Sequence, residues 1–210
     1  VAHARRAAAL IALVALAFWY VCIIAPPWHR PFVGVLANID LFTQIYPMAL
    51  RGAAWMRAGV FPLWNPFQLA GHPFLATALY GVCYPLNLPY LFLSTPTAIE
   101  VVIVTHLFLA GWFTYLYTRS IGLHPLAGIA GAVAYVTSGF MGNLAAWFTP
   151  AIASAVWLPL GLYGVERTID RRDARSATVV AVAMAMVFLG GWAEFCLYWR
   201  DATRTSTGAR

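Results

Sequence analysis

The chain has 210 residues, of which 62% are hydrophobic, 15% aromatic and only 10% charged. A soluble domain runs nearer ~45–50% apolar and ~25% charged, so one core of this size cannot hide the apolar surface and the chain needs an apolar solvent. The formal charge of +6 comes from 13 arginines with no lysine, and the composition excludes disorder, a collagenous or coiled-coil rod and a secreted disulfide scaffold.

These values predict an all-α, polytopic membrane protein. The arginines are read as setting orientation in the membrane rather than as binding nucleic acid. Cys22, Cys83 and Cys196 all sit in apolar runs without paired spacing and are read as packing residues, not as a zinc site or a disulfide pair.

The first apolar run, Ala7 to Ala25, follows the basic cluster His3, Arg5, Arg6. It is longer than the ~7–15 apolar residues of a signal peptide, which predicts an uncleaved span with a cytoplasmic N-terminus. Pro26 to Pro96 then holds ten prolines, which forbid one long helix and mark a large external loop. Within that loop, Tyr46–Ala58 reads as a helix, with Pro47 in its first turn and Gly59 as its C-terminal stop. Arg51 and Arg57 on it suit a helix lying in the interface better than a span. The segment Leu75–Leu93 is apolar enough to span, yet counting it as a span would move Arg119, Arg167, Arg171, Arg172 and Arg175 outside. It is therefore read as re-entrant or interfacial. Further spans are expected at Ala98–Tyr117, Ala127–Trp147, Pro150–Val165 and Ala177–Trp199, five in all with the first. The chain then reads as one transmembrane domain over 1–210, closing in a polar tail at 200–210. It begins with Val1 and ends in a tail unlike the rest, so it is expected to be a portion of a longer protein.

Ionisable groups that a membrane makes costly mark the candidate sites. Asp40 is the only acidic residue before Ser94 and precedes the loop helix; it suits a general base or a divalent-cation ligand, and equally a helix-start residue. Arg51 and Arg57, with Arg30, suit either snorkelling to anionic lipid or gripping a lipid-linked phosphate. His72 and His29 are external and suit contact with phosphate or sugar hydroxyls, or a plain loop role. Glu194, after Gly190-Gly191, suits a cavity or a span boundary. His106 and Glu100 share the next span without sharing a face, and His106 is read as a satisfied buried histidine. The chain has no Walker loop, no dinucleotide fingerprint, no His-Glu-x-x-His and no Gly-x-Ser-x-Gly.

The loop carries a series of elements: Asp40-Leu41-Phe42-Thr43-Gln44-Ile45-Tyr46-Pro47, Arg51, Pro62-Leu63-Trp64-Asn65-Pro66, Gly71-His72-Pro73 and Tyr84-Pro85-Leu86-Asn87. Together with Ser138-Gly139-Phe140, Trp157-Leu158-Pro159-Leu160 and Gly190-Gly191, this series resembles the YfhO family of bacterial membrane proteins, which looks like a branch of the GT-C glycosyltransferases. The resemblance runs over roughly Ala7 to Tyr198. It implies a multi-span enzyme of the cell membrane that moves a sugar from a polyprenyl-phosphate donor to a cell-envelope acceptor. Asp40 would then be the acidic base or metal ligand of the first external loop. Arg51 or Arg57 would attract the donor phosphate, His72 would shape the pocket, and Glu194 would be a weaker carry-over. Members are several times longer, so this chain corresponds to an N-terminal portion, and the donor groove would need further spans. Two rival readings remain: a transporter or flippase component that uses His106, and a non-catalytic membrane scaffold whose small residues Gly128, Gly131 and Ala132 bind partner helices.

Overall fold

The computed structural model describes residues 40–201 apart from Ala78, Phe148, Ala193 and Trp199. The expected first span Ala7–Ala25, together with His29 and Arg30, lies outside the described residues. Among these the chain is helical and has no strand, only an isolated antiparallel bridge between Asn65 and His72.

A π-helical turn, Leu41–Ile45, runs straight into α1, Tyr46–Arg57. Pro47 sits in the first turn, where its missing N–H is not needed, and the chain leaves through Gly59 at φ +73°. Leu41, Ile45, Met48, Ala49, Gly52 and Ala53 recur at helical spacing and are buried. They face protein, against Phe74, Tyr80, Tyr90 and the beginning of the next long helix. The apolar side of α1 is thus covered by its own chain, and the outward side carries Gln44, Pro47, Leu50, Arg51, Ala54 and Arg57.

Residues 59–93 form no continuous helix. Tight turns at Leu75–Thr77 and Pro85–Asn87 and the four-residue helix α2, Pro89–Phe92, are set by the prolines. Helix α3, Thr95–Ser120, is the long element: 26 residues, roughly 39 Å at the usual rise. It starts three residues before the expected Ala98 because Pro96 occupies its first turn, and it ends at Gly122, φ +86°.

The remaining helices are shorter than the expected spans. Helix α4, Pro125–Val136, and α5, Gly139–Trp147, meet at Thr137–Ser138 with a 48° bend. Helices α6, Thr149–Ala155, and α7, Leu158–Arg171, replace the single expected run Pro150–Val165, with the break just ahead of Pro159. Helix α8, Ala174–Leu189, ends at the Gly190-Gly191 pair, ten residues short of Trp199, because Gly191 turns the chain at φ +103°. Asp173 starts α8, its carboxylate accepting the Ser176 backbone N–H at 2.9 Å. Among the described residues one helix, α3, is long and apolar enough to cross a membrane, or two if the bent α4–α5 pair is one span.

Helix α3 is shared by two cores. Its first half gives Ala98, Ile99 and Val102 to the cluster under α1, and its second half gives Leu107, Ala110 and Phe113 to a bundle core with Val136, Met141, Ile152, Val156, Ala183 and Val187. Neighbouring helices close in where side chains are small. A Cβ on Gly128 would come 2.9 Å from Thr118 Oγ1, and one on Gly164 would come 2.8 Å from Val180.

Candidate functional site

The loop and the bundle are joined at Tyr84, which is 2% exposed. Its hydroxyl oxygen lies 2.6 Å from His106 Nε2, accepts the Trp157 indole N–H at 2.9 Å and lies 3.1 Å from the Ala153 carbonyl. His106 Nδ1 stands 2.6 Å from the Val102 carbonyl, so that nitrogen carries the ring proton and Nε2 accepts from the Tyr84 hydroxyl. Burial pushes the Tyr84 hydroxyl well above the ordinary tyrosine range, against the lowering effect of the Trp157 bond. Both nitrogens of His106 are therefore committed, and the residue joins the loop to the bundle. The turn that delivers Tyr84 is held by Asn87, whose amide donates to the Tyr80 and Gly81 carbonyls at 2.6 and 3.2 Å.

Arg57 is a structural residue. Its guanidinium donates to the carbonyls of Leu91 at 3.1 Å, Tyr90 at 2.6 Å and Leu93 at 2.5 Å. These are the orphan acceptors at the C-terminal end of α2, so Arg57 caps that helix. The nearby positive charge partly offsets burial at Tyr80, whose hydroxyl is nonetheless pushed up to about 12.

Arg51 is placed differently. It lies on the exposed side of α1, its guanidinium carbon 4.4 Å from the centre of the Phe67 ring and 5.9 Å from that of Trp55. Trp55 stacks on Phe67 and meets Phe74 edge-on at 5.4 Å, which fixes the platform under the cation. Beside it opens a cleft of about 480 Å³ lined by Pro47, Met48, Leu50, Arg51, Ala54, Asn65, Phe67 and Gln68. One wall is α1; the other is Asn65 of the Pro-Leu-Trp-Asn-Pro element with Phe67 and Gln68 after it.

That second wall is built by local polar bonds. Asn65 Oδ1 accepts the Phe67 N–H at 3.1 Å, an Asx turn, and its amide points to Gln68 Oε1 at 3.4 Å. Asn65 and His72 exchange both backbone bonds, at 2.8 and 3.0 Å. Between them Leu69 and Ala70 hold left-handed φ values of +53° and +59°. Such residues cost on the order of 1–3 kcal/mol each and concentrate at binding sites. Gly71 follows at φ +104°, and a Cβ there would come 2.8 Å from the Trp64 ring, so only glycine fits. The His72 ring donates from Nδ1 to the Gln68 carbonyl at 3.4 Å, which places it behind the cleft wall.

Asp40 is exposed and in helical conformation, and its carboxylate caps no helix N–H. It accepts from Gln44 Nε2 at 3.4 Å. Gln44 precedes Arg51 by two helical turns, so Asp40, Gln44 and Arg51 share one face, the outer two roughly 16 Å apart along the axis. Glu194 is exposed and accepts the Trp192 indole N–H at 3.2 Å; it is not among the residues lining the Arg51 cleft. Among the described residues no group of three or more His, Cys, Asp or Glu could hold a metal ion.

The structure thus brings Arg51 and His72 together around Asn65 and Gln68, keeps Asp40 on the same helix face, commits Arg57 to backbone and leaves Glu194 apart. Asn65, Phe67 and Gln68 were not singled out from sequence, although Asn65 stands inside the Pro-Leu-Trp-Asn-Pro element. No family model matches the chain, and no curated protein or solved structure matches it either.

Proposed function

We propose that this chain is the N-terminal portion of a YfhO-like, GT-C type membrane glycosyltransferase that moves a sugar from a polyprenyl-phosphate donor to a cell-envelope acceptor. In this reading the chain crosses the cell membrane several times, with its N-terminus in the cytoplasm. The spans would be 7–25, α3, the bent α4–α5 pair, α6–α7 and α8 with its continuation, and the loop 26–94 would lie outside. The observation that carries the reading is the Arg51 cleft: a cation on an aromatic platform, two amides opposite it, and a strained loop holding them.

Each residue then has a task. Arg51 supplies positive charge for the donor phosphate, and its planar fork suits two phosphate oxygens. The exposed amide of Gln68 offers a donor and an acceptor of the kind sugar hydroxyls need, and Asn65, bonded within its own loop, sets its position. Asp40 takes the proton from the acceptor hydroxyl as it attacks the anomeric carbon and the phosphate leaves, which requires the Arg51 side chain to swing off the Phe67 ring and reach back along α1 toward Asp40. His72 holds the loop. Further chain beyond the described residues would complete the donor groove.

The test uses membranes carrying the native-length protein and a labelled polyprenyl-phosphate sugar. Transfer that disappears in Asp40→Asn, together with a raised donor KM in Arg51→Gln, is expected. Transfer at the parental rate in both variants would refute the assignment.

A further inference from the structure

The buried apolar side of α1 is covered by protein, and its outward side mixes Leu50, 47% exposed, with Gln44, Arg51 and Arg57. The exposed apolar side chains of the loop lie elsewhere. Val60, Phe61, Leu63, Trp64, Phe67 and Leu69 are all at least half exposed, Leu69 at 87%. Phe92 is 81% exposed on the other side of the Arg57 anchor. Soluble surfaces scatter such residues singly, and a contiguous run of them marks a contact surface.

Two further observations say which kind. Arg57 bonds the carbonyls of Tyr90, Leu91 and Leu93, so the chain leaving α1 at Gly59 is tied beside Thr95, where the one long apolar helix begins. Whatever depth the start of α3 occupies, Val60, Phe61 and Phe92 are held near it. Charge points the same way: between Asp40 and Glu100 there is no carboxylate, and both arginines in the interval carry positive charge. A loop that is aromatic, apolar and cationic at the mouth of an apolar helix matches the chemistry of an anionic lipid headgroup layer.

We infer that the Val60–Leu69 loop, with Phe92, is a membrane-seated wedge in contact with anionic lipid, and that it takes the interfacial place first expected of α1. Aromatic rings sit at the acyl boundary, and Arg51 and Arg57 lie at the depth of the phosphates. The inference does not need glycosyl transfer to be correct.

The test is done on the native-length chain with Cys22, Cys83 and Cys196 replaced by serine, reconstituted in lipid nanodiscs. A single environment-sensitive fluorophore is placed at Phe61→Cys or, separately, at Leu69→Cys, with Gln44→Cys on the outward side of α1 as reference. Discs are made of phosphatidylcholine alone or with phosphatidylglycerol. The expected result is blue-shifted emission at both loop positions, quenched by headgroup-proximal spin-labelled lipid, and several-fold more so in the anionic discs; the Gln44 position stays water-like. Three results would overturn it. Water-like emission open to aqueous quenchers would put the loop in solvent. Blue-shifted emission that neither lipid nor aqueous quenchers reach would mean protein covers it. Equal quenching in both disc types would remove the anionic preference.

Discussion

Two regions meet on α3 and are held by different kinds of contact. From Leu107 onward the helices close on one another through apolar side chains and small residues, and backbone polar groups are satisfied inside each helix. Between 59 and 93 the prolines remove that ladder, and side chains take its place: Arg57 on three carbonyls, Asn87 on two, Asn65 on its own loop. In the bundle half His106 and Ser154 join separate elements, whereas in the loop half Arg57, Asn87 and Asn65 replace backbone bonds and Arg51 is the residue proposed to meet a ligand. Chemical type does not tell these groups apart. Arg51 and Arg57 lie six residues apart on one helix and fall on opposite sides of the division.

Substitutions should separate the groups by which property they change. The largest effect is expected at Asp40. Asp40→Asn removes the proposed base and should lower glycosyl transfer by about 10²–10⁴-fold, with the thermal unfolding curve of the detergent-solubilised protein unmoved. A variant that loses activity only because it unfolds would move Asp40 to the structural side.

Next comes the joint. Tyr84→Phe leaves the Trp157 indole N–H and His106 Nε2 without their shared partner, at a cost of about 2–3 kcal/mol. The protein should melt earlier, and amide hydrogen exchange should rise in residues 79–93 before it rises in the bundle. Unchanged exchange in that segment would show that the two halves are held together without the hydroxyl.

Arg57→Ala should follow, destabilising the chain by about 1–2 kcal/mol through the uncapped carbonyls, a figure reduced for the partial exposure of the guanidinium. Limited proteolysis near α2 would report it. A stable Arg57→Ala protein with lost donor binding would reverse the assignment of the two arginines.

The smallest effect concerns pH. Burial raises Tyr80 to about 12 in the folded chain, against 10.0 for a free tyrosine. The folded state therefore keeps its proton where the unfolded state has lost it. The stability this supplies is fully present below pH 10 and is lost as pH rises from 10 toward 12. Tyr80→Phe should flatten the alkaline limb of the stability profile and leave neutral pH unaffected by ionisation. An alkaline limb of unchanged slope would contradict this.

How much of this could be read from the chain itself follows the same division. Helix α1 was legible to within a residue, because Pro47 and Gly59 act locally. That residues 75–93 form no continuous helix also follows from local chemistry, Pro85 and Pro89. The breaks at Thr137–Ser138 and ahead of Pro159 were missed because apolar composition continues unbroken across them, although Pro159 was a signal available for the second. The end of α8 is signalled by Gly190-Gly191, inside the expected span Ala177–Trp199. The role of Arg57 was illegible for a different reason: its partners lie 33 to 36 residues away, across a stretch whose path depends on every turn between. The same holds for Tyr84 and His106, 22 residues apart. Burial of His106 was foreseeable from its helix; its partner was not. The cleft walls Asn65 and Gln68 are uncharged, so the cost of burying ionisable groups does not mark them.

The most direct test is therefore the pair of arginines, measured side by side in the native-length protein. Donor KM and melting temperature would be determined for Arg51→Gln and Arg57→Gln in the same membranes. The expected result is a raised KM at unchanged melting temperature for Arg51→Gln, and a lowered melting temperature for Arg57→Gln whose residual folded fraction binds donor normally. If Arg51→Gln melts early and keeps its donor KM, the cation on the Phe67 ring is part of the scaffold, and the cleft beside it is not where the donor phosphate is held.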